Sequence, residues 1–262
     1  MRIALTRQVS PAIQRCELTH LARQPIDYER ACAQHRQYEQ ALRALGVQVL
    51  SLPAELDLPD SVFVEDIALA LDECAILTNP GASSRQPEVA SVARALAPYR
   101  KLFHIHPPGM LDGGDVLRIG RTIYVGLSSR SNEPAVEQLK SILASPDLEI
   151  THKYEIRAVR VAGCLHLKSA LTQVGEGLLL INPAWVRKED FPGMEFIEVD
   201  PSEPYAANAV LVGETIIYPS SFPKTQSRLE GRGVKLALVE ADELAKAEGA
   251  VTCCSLIFSV NA

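Results

Sequence analysis

Residues 115–129 read DVLRIGRTIYVGLSS, two short apolar runs on either side of Gly120-Arg121. Apolar runs rich in β-branched residues and separated by a glycine-containing dipeptide are typical of an antiparallel β-hairpin. The same form recurs in three other stretches, at 66–79, 169–183 and 208–221. A hairpin that returns with so similar a layout indicates a repeat architecture.

The repeats are regularly spaced, and helical segments lie between them. The hairpins begin at residues 66, 115, 169 and 208, and a further apolar strand, SLIFSV, begins at residue 255, so the spacings are 49, 54, 39 and 47 residues. Apolar periodicity and capping residues predict helical segments at six places. These places are 27–45, 86–97, 132–144, 188–191, 225–230 and 242–248.

A period of about 40–50 residues, built from strands and one helix, predicts a closed radial array. The last unit has a single strand, and RIALTR at 2–7 is the expected partner that closes the ring. We therefore predict one α/β domain over 1–262, a five-bladed α/β propeller of ββαβ units around a central channel. The alternative is an ordinary two-layer α/β fold whose hairpins happen to look alike.

The composition argues against several classes of function. The 262 residues carry a net charge of −6, with 47% hydrophobic and 22% charged residues, which gives no basic footprint for nucleic acid. No apolar run approaches the roughly 20 residues that a membrane helix needs. The N-terminus has no signal-peptide pattern, so we expect a cytoplasmic protein whose six cysteines are free thiols.

Polar residues stand at the start of each repeated strand. They are Glu65, Asp66, Asp112, Asp115, His166, Lys168, Tyr205, Asn208, Cys253 and Ser255. In a ring of equivalent units, residues that occupy the same position in each repeat lie at the same end of the central channel. We therefore expect carboxylates, a histidine and a cysteine from different blades to converge there.

Two cysteines stand side by side in VTCCSLIF, at 251–258. A disulfide between adjacent residues is geometrically unfavourable. We interpret the stretch as a buried strand, on which neighbouring side chains point to opposite faces. The face with Cys254 carries the larger Leu256 and Phe258, which favours Cys253 as the thiol that faces the channel. The alternative is that both are small buried hydrophobic residues, as free cysteines often are.

His166, in CLHLKSA, has the same phase of the repeat as Cys253. A histidine beside a cysteine is a known route to a reactive thiolate, although a lone histidine on a strand is more often structural. His104 and His106 alternate in FHIHP, but two ligands without a third do not define a metal site. No metal is predicted.

Three carboxylates, Asp60, Glu65 and Asp66, interrupt the apolar stretch PDSVFVED. Carboxylates in such surroundings need a cationic partner. Asp112 lies in a glycine-rich turn, LDGGDV, where the backbone can approach a ligand closely. The partner could be a lysine or arginine of the chain, or a ligand with a planar guanidinium, which carboxylates bind in bidentate fashion.

Six motifs, in this order, resemble those of the dimethylarginine dimethylaminohydrolases: PDSVFVED, PGASSR, LDGGDV, YVGLSSRSN, LHLK and VTCCSL. That family belongs to the guanidino-group-modifying enzymes of the pentein fold, a five-bladed α/β propeller. The resemblance covers nearly the whole chain, from LTHL at 18–21 to the cysteine pair. It implies hydrolysis of N-ω-methylated arginine (asymmetric dimethylarginine, monomethylarginine) to citrulline and a methylamine through a covalent cysteine-thiouronium intermediate, with no cofactor.

The resemblance also implies a role for each matching residue. Cys253 resembles the nucleophile, His166 the general acid and base, and Asp112 the acid that orients the histidine. Six residues match positions that bind the substrate or cover it: Leu18, Asp60, Glu65, Asp66, Arg85 and Arg130. Ala247 stands where the family usually has a larger aliphatic residue, at the expected rim of the pocket.

Other functions stay open at this stage. One is a deiminase-type hydrolase that acts on arginine or another guanidino compound, and another is a pentein-fold binding protein without enzymatic activity. Arg85 and Arg130 favour a substrate with a free α-carboxylate, which agmatine lacks. The expected partner is a small guanidino substrate and neither nucleic acid nor membrane, and a homodimer through exposed strands is left open.

Overall fold

Five small sheets, each of three strands, make up the fold. The computed structural model describes residues 1–150 and 153–260. In every sheet an antiparallel pair is extended by a third strand that runs parallel to the middle one. The predicted five-bladed α/β propeller of ββαβ units is confirmed, and the two-layer alternative is wrong.

The strands are numbered in chain order. The blade that joins the two ends of the chain contains β1 (Arg2–Arg7), β2 (Gln48–Leu52) and β15 (Leu256–Ser259). The second blade contains β3 (Ala68–Ala70), β4 (Cys74–Leu77) and β5 (Lys101–His104). The third contains β6 (Val116–Ile119), β7 (Thr122–Leu127) and β8 (Glu155–Arg160). The fourth contains β9 (Leu171–Gly175), β10 (Leu178–Ile181) and β11 (Glu195–Glu198), and the fifth β12 (Val210–Val212), β13 (Thr215–Pro219) and β14 (Lys235–Val239).

Pairing of β1 with β15 closes the ring. The two strands are antiparallel, with Arg2 opposite Ser259 and Leu5 opposite Leu256. The four hairpins turn tightly, at 72–73, 120–121, 176–177 and 213–214. Gly120 and Gly213 have φ angles of 58° and 63°, a region that glycine enters without steric cost. Local turn chemistry therefore places the hairpins that contain these glycines.

In the part of the chain that the structure describes, six α-helices lie outside or between the sheets. They are α1 (Tyr28–Ala44), α2 (Val89–Leu96), α3 (Glu133–Leu143), α4 (Leu167–Ala170), α5 (Pro223–Gly231) and α6 (Asp242–Ala245). The predicted caps hold, since the side chains of Asp27 and Asn132 accept backbone N–H groups in the first turns of α1 and α3. Among the described helices, none is long and apolar enough to cross a membrane.

The fourth blade differs from the others, because its outer connection holds only the 3₁₀ turn Lys188–Asp190 where a short helix is predicted.

The core is divided between the blades. For example, Val136 and Leu139 of α3 pack with Ile123 and Val125 of β7, all nearly without exposure to solvent. The sheets are thereby fixed, and the turns that precede them are held in place.

Short 3₁₀ turns, and not strands, precede three of the hairpins. They are Val64–Ile67, Gly113–Asp115 and Thr252–Cys254. The interpretation of 251–258 as one continuous strand is therefore wrong, because β15 begins only at Leu256. His166 likewise lies at the N-cap of α4 and not within a strand. The remaining 3₁₀ turns are Ile13–Arg15 and Ser83–Glu88.

Candidate active site

The turns that precede the hairpins of four blades meet around one pocket. The space between them measures about 330 Å³, including the part that is open to solvent. Its lining residues are Glu17, Asp60, Phe63, Asp66, Arg85, Asp112, Arg130, Leu165, His166, Ala247, Glu248, Gly249 and Cys253. The expected convergence of carboxylates, a histidine and a cysteine is therefore what the fold produces.

His166 and Asp112 form a buried hydrogen-bonded pair. The imidazole Nε2 lies 3.1 Å from Asp112 Oδ2, and its Nδ1 lies 3.8 Å from Asp66 Oδ1. The Asp112 carboxylate is held in turn, because it accepts the N–H of Gly81 at 2.9 Å. The imidazole is thus oriented between two carboxylates, as a proton-transfer group requires.

The charges around His166 favour its protonated form. Burial would lower the pKa of this imidazole, but Asp66, the hydrogen bond to Asp112, and Asp115 outweigh burial and raise the pKa to about 9. At neutral pH the ring is an imidazolium. It can therefore donate a proton to a leaving group without first acquiring one.

Cys253 lines the pocket and Cys254 does not. Burial, and then the negative charges of Asp66 and Glu65, raise the pKa of the Cys253 thiol well above its usual value. The thiol is therefore neutral until a cation enters the pocket. The Cys254 thiol lies 3.5 Å from the carbonyl oxygen of Ala250, within the core of the first blade. The two neighbours consequently have different surroundings.

Arg85 is a buried cation that holds the acidic side of the pocket together. Its Nη1 lies 2.5 Å from Asp66 and its Nη2 lies 2.8 Å from Glu88. It also donates to the backbone carbonyls of Asp60 and Phe63. Burial raises the pKa of Asp66, but His166 and Arg85 more than offset this and lower it below the usual value. Asp66 is thus ionised and available to a guanidinium.

Asp60 and Arg130 place groups of opposite charge in the pocket lining. The Asp60 carboxylate accepts the N–H of Glu17 at 3.1 Å, and burial, opposed by Arg85, raises its pKa to about 6. Arg130 donates to the Thr19 hydroxyl at 2.9 Å and lies 4.0 Å from Asp112 Oδ2. An ammonium and a carboxylate could therefore be bound at separate points.

Two predicted binding residues are not in the pocket lining. Leu18 is half-buried against the core of the first blade, although its neighbour Glu17 lines the pocket. Glu65 points away from Asp66 and forms an ion pair with Lys168 at 2.6 Å, in a second cavity behind the turns. The other seven predicted residues do line the pocket: Asp60, Asp66, Arg85, Asp112, Arg130, His166 and Cys253.

Some supporting residues had no role assigned from the sequence. Asp115 is buried and accepts hydrogen bonds from the Leu167 N–H and from the hydroxyls of Ser128 and Ser131, so it ties α4 to the third blade. Its position just before β6, which matches that of Asp66 before β3, is the sequence signal that indicates a role near the pocket. Glu248 also lines the pocket, and no local pattern indicates its contacts with a segment more than 220 residues away.

One potential metal-ligand group exists in the described residues, namely Asp66, Asp112 and His166, whose ligand atoms lie within 4.8 Å of one another. Asp66 is already bound to Arg85 and to the N–H of Gly114. His166 is protonated at neutral pH and would have to lose that proton to bind a metal, because a metal takes the neutral imidazole. We keep the prediction that the site works without a metal.

Comparison with known proteins agrees with this geometry. A family model described as N,N dimethylarginine dimethylhydrolase, eukaryotic, matches residues 19–190. The N(G),N(G)-dimethylarginine dimethylaminohydrolase of Streptomyces coelicolor is 37% identical over 97% of this chain and 95% of its own. A solved Pseudomonas aeruginosa enzyme of that name, a cysteine-to-serine variant complexed with citrulline, superposes with a TM-score of 0.91 at 32% identity and covers 98% of both chains.

A second solved dimethylarginine dimethylaminohydrolase, a histidine-to-glycine variant, is an adduct with S-methyl-L-thiocitrulline and superposes with a TM-score of 0.89 at 32% identity over 98% of this chain. The fold and the cysteine, histidine and carboxylate pocket define an enzyme of the pentein superfamily that hydrolyses carbon–nitrogen bonds of amidines. Within that class, the chain belongs to the dimethylarginine dimethylaminohydrolase family.

Proposed function

We propose that this chain hydrolyses N-ω-methylated arginine to citrulline and a methylamine through a covalent intermediate on Cys253. The observation that carries the proposal is the His166–Asp112 pair, which shares one carboxylate-lined pocket with the thiol. The names of its relatives and the citrulline bound to one of them support this substrate class. The catalytic residues are Cys253, His166 and Asp112.

Substrate binding uses the charges already in place. Asp66 takes the guanidinium, Asp60 takes the α-ammonium, and Arg130 takes the α-carboxylate, with Leu18 covering them. Arg85 acts on the substrate's α-carboxylate only through its charge, because its N–H groups already donate to Asp66, Glu88 and two backbone carbonyls. Glu65 acts at a distance as part of the negative field around Cys253. Positioning of this kind supplies a large part of the rate enhancement in many enzymes.

The cationic substrate offsets the negative charges that keep the thiol neutral, so Cys253 loses its proton to solvent on binding. The thiolate attacks the guanidinium carbon and forms a carbon–sulfur bond. His166 gives its proton to the methylated nitrogen, the carbon–nitrogen bond breaks, and the amine leaves. A water molecule then gives one proton to His166 and its hydroxide adds to the thiouronium carbon. The carbon–sulfur bond breaks, the hydroxyl proton passes to the sulfur, and citrulline and the Cys253 thiol are released.

The pH dependence of kcat/KM follows from the charges of the free enzyme. Activity should rise with pH while the thiol is increasingly deprotonated, and the rise should level off above about pH 9, where His166 loses the proton that the leaving amine needs and this loss offsets the gain in thiolate. Asp112→Asn should move this levelling to lower pH, because one negative charge beside the imidazolium is lost. A levelling point that is unchanged in the variant would assign it to another group.

Gly114→Ala should displace the imidazole. A Cβ at this position would lie 2.5 Å from His166 Nδ1 and 2.8 Å from Asp66 Oδ1, and both side chains are buried. Because a misplacement of about 1 Å can cost 10²-fold in rate, we expect kcat/KM to fall by about 10²-fold. Gly231→Ala is the control, since a Cβ there meets nothing within 4 Å. Equal activity of both variants would contradict the geometry.

The proposed function is tested by formation of the ureido product, measured in parallel with purified protein: citrulline from asymmetric dimethylarginine, monomethylarginine and arginine, and the corresponding ureido amine without a carboxylate from agmatine. We expect the methylated arginines to have the highest kcat/KM, and agmatine to fail because Arg130 then lacks a carboxylate to bind. Citrulline from arginine alone would instead establish a deiminase-type hydrolase. No turnover of any of the four would favour a pentein-fold binding protein.

Three further expectations are part of the proposal. We propose that residues 1–262 act as one catalytic domain, because β1 and β15 join the two ends of the chain in one sheet. A single cooperative unfolding transition is expected, and two transitions would contradict it.

The cytoplasmic location stays a prediction from the sequence, and cell fractionation tests it. A homodimer is likewise a prediction, and sedimentation equilibrium decides it.

A further inference from the structure

The carboxylate of Glu248 binds the backbone of a surface segment. We call residues 18–21 the lid segment. Three successive N–H groups of this segment, those of Thr19, His20 and Leu21, donate to Glu248 Oε1 at 3.0, 2.5 and 2.6 Å, and Thr19 also reaches Oε2 at 2.9 Å. Consecutive N–H groups that converge on one point form an anion-binding concavity, here filled by a side chain of the same chain.

The backbone at Glu248 is unfavourable for this residue type. Its φ angle is 57°, and no other residue except glycine has a positive φ in the described ranges 1–150 and 153–260. Glycine is the residue usually found at such a position just after a helix, and α6 ends three residues earlier. A side chain that occupies this place needs a compensating interaction, and the lid contact supplies one.

The lid segment is also tied to the rest of the pocket. The Thr19 hydroxyl accepts a hydrogen bond from Arg130, which lies 4.0 Å from Asp112. Immediately before the segment, the N–H of Glu17 donates to Asp60. The segment is therefore joined to pocket residues through Glu248 and Arg130, and the residue before it is joined to a third.

We propose that Glu248 is a positioning residue that holds the lid segment at the edge of the pocket and thereby sets the affinity for the substrate. Its link to affinity rests on the function proposed above. While the segment is held, Thr19 fixes Arg130 where the substrate carboxylate is expected. When the contact is lost, Arg130 and Leu18 lose their fixed positions, whereas Cys253, His166 and Asp112 do not contact the lid and keep their arrangement.

The test uses Glu248→Gly, because glycine accepts the positive φ angle and the fold should not suffer. We expect KM for the methylated arginine to rise about tenfold or more, since four hydrogen bonds to a charged group are lost, while kcat changes much less. Hydrogen–deuterium exchange at the amides of residues 19–21 should become faster. The midpoint of thermal unfolding should stay within roughly 3 °C of the parent.

Two further variants make the result specific. Glu248→Gln keeps the side-chain length but removes the charge, and should show a smaller rise in KM and in lid exchange. Asp242→Asn removes a carboxylate from the same part of the chain, where it binds Gln34 and Arg30 and not the lid, and should leave both unchanged.

The proposal is overturned if exchange at residues 19–21 is the same in Glu248→Gly and the parent, or if KM is unchanged in a folded variant. Should Glu248→Gly unfold, the same two comparisons made with Glu248→Gln decide the question. Exchange is measured without substrate. If the parent protein turns over none of the guanidines, the proposed function fails, while the lid contact is still accepted or rejected on exchange alone.

Discussion

Cys253→Ser should lower kcat for citrulline formation by about 10⁴-fold or more, since removal of an active-site nucleophile has effects of this size or larger. Serine has nearly the same volume, so the fold and the pocket are kept. Its hydroxyl is a much weaker nucleophile in this acidic pocket, where the negative charges of Asp66 and Glu65 oppose ionisation. Stopped assays at saturating substrate measure the loss, and calorimetric titration should show that substrate still binds.

Cys254→Ser is the matched control for this prediction. The second thiol differs by one position, is equally buried and lies outside the pocket. We expect it to keep kcat and KM close to those of the parent, with a small loss of stability because a hydroxyl replaces a thiol in an apolar core. A kcat that falls equally in both variants would mean that the cysteines are not distinguished as the structure indicates.

The second large effect is expected for Asp112→Asn, which should lower kcat by about 10²–10⁴-fold, the range that a general acid–base group contributes. The amide has almost the same shape, but it removes the charge that helps to keep His166 protonated. It also leaves one oxygen where the carboxylate has two, so the side chain can no longer accept both the Gly81 N–H and the imidazole Nε2–H. Steady-state kinetics across pH separate the two effects, because lost charge moves the pH at which activity levels off and lost orientation lowers kcat at every pH.

Asp115→Asn is the control for loss of a buried carboxylate. Asp115 accepts hydrogen bonds from Leu167, Ser128 and Ser131 and makes none with the imidazole. We expect this variant to be less stable but to retain more of its kcat than Asp112→Asn. The reverse order of the two kcat values would contradict the role given to Asp112.

Much of the propeller could be predicted because its determinants are local. A short apolar run defines each strand and a polar or glycine-containing turn separates the two runs, so the hairpins at 66–79 and 115–129 are visible without knowledge of the rest. The fourth blade was predicted less well. Its outer connection is only a 3₁₀ turn at Lys188–Asp190, and such a short segment has too few residues to show a helical period.

The choice of Cys253 as the pocket thiol agrees with the structure, but the argument for it was wrong. Residues 252–254 form a 3₁₀ turn, so alternation along a strand does not decide where the two thiols point. What places Cys253 in the pocket is its phase in the repeat, just before a hairpin, which it shares with Asp66 and Asp112. The repeat was therefore the stronger signal for the site, and the local pattern was the weaker one.

Two features of the site could not be read from the chain. Glu65 and Asp66 are neighbours with the same charge, and only the turn Val64–Ile67 sends one to Lys168 and the other to the pocket. Glu248 is separated from Thr19 by 229 positions and has the conformation of a glycine. Contacts of this kind depend on how the ring closes, which no local pattern specifies.

The central claim is that Cys253 forms a covalent bond with the amidine carbon of the substrate. The most direct test is peptide mass spectrometry of His166→Gly after it is mixed with S-methyl-L-thiocitrulline and quenched with acid, because loss of the proton-transfer group should stop hydrolysis of the adduct. The account predicts an added mass on the peptide with Cys253, absent in the double variant with Cys253→Ser and kept with Cys254→Ser. An adduct on Cys254, or none on either cysteine while the compound still binds, would contradict it.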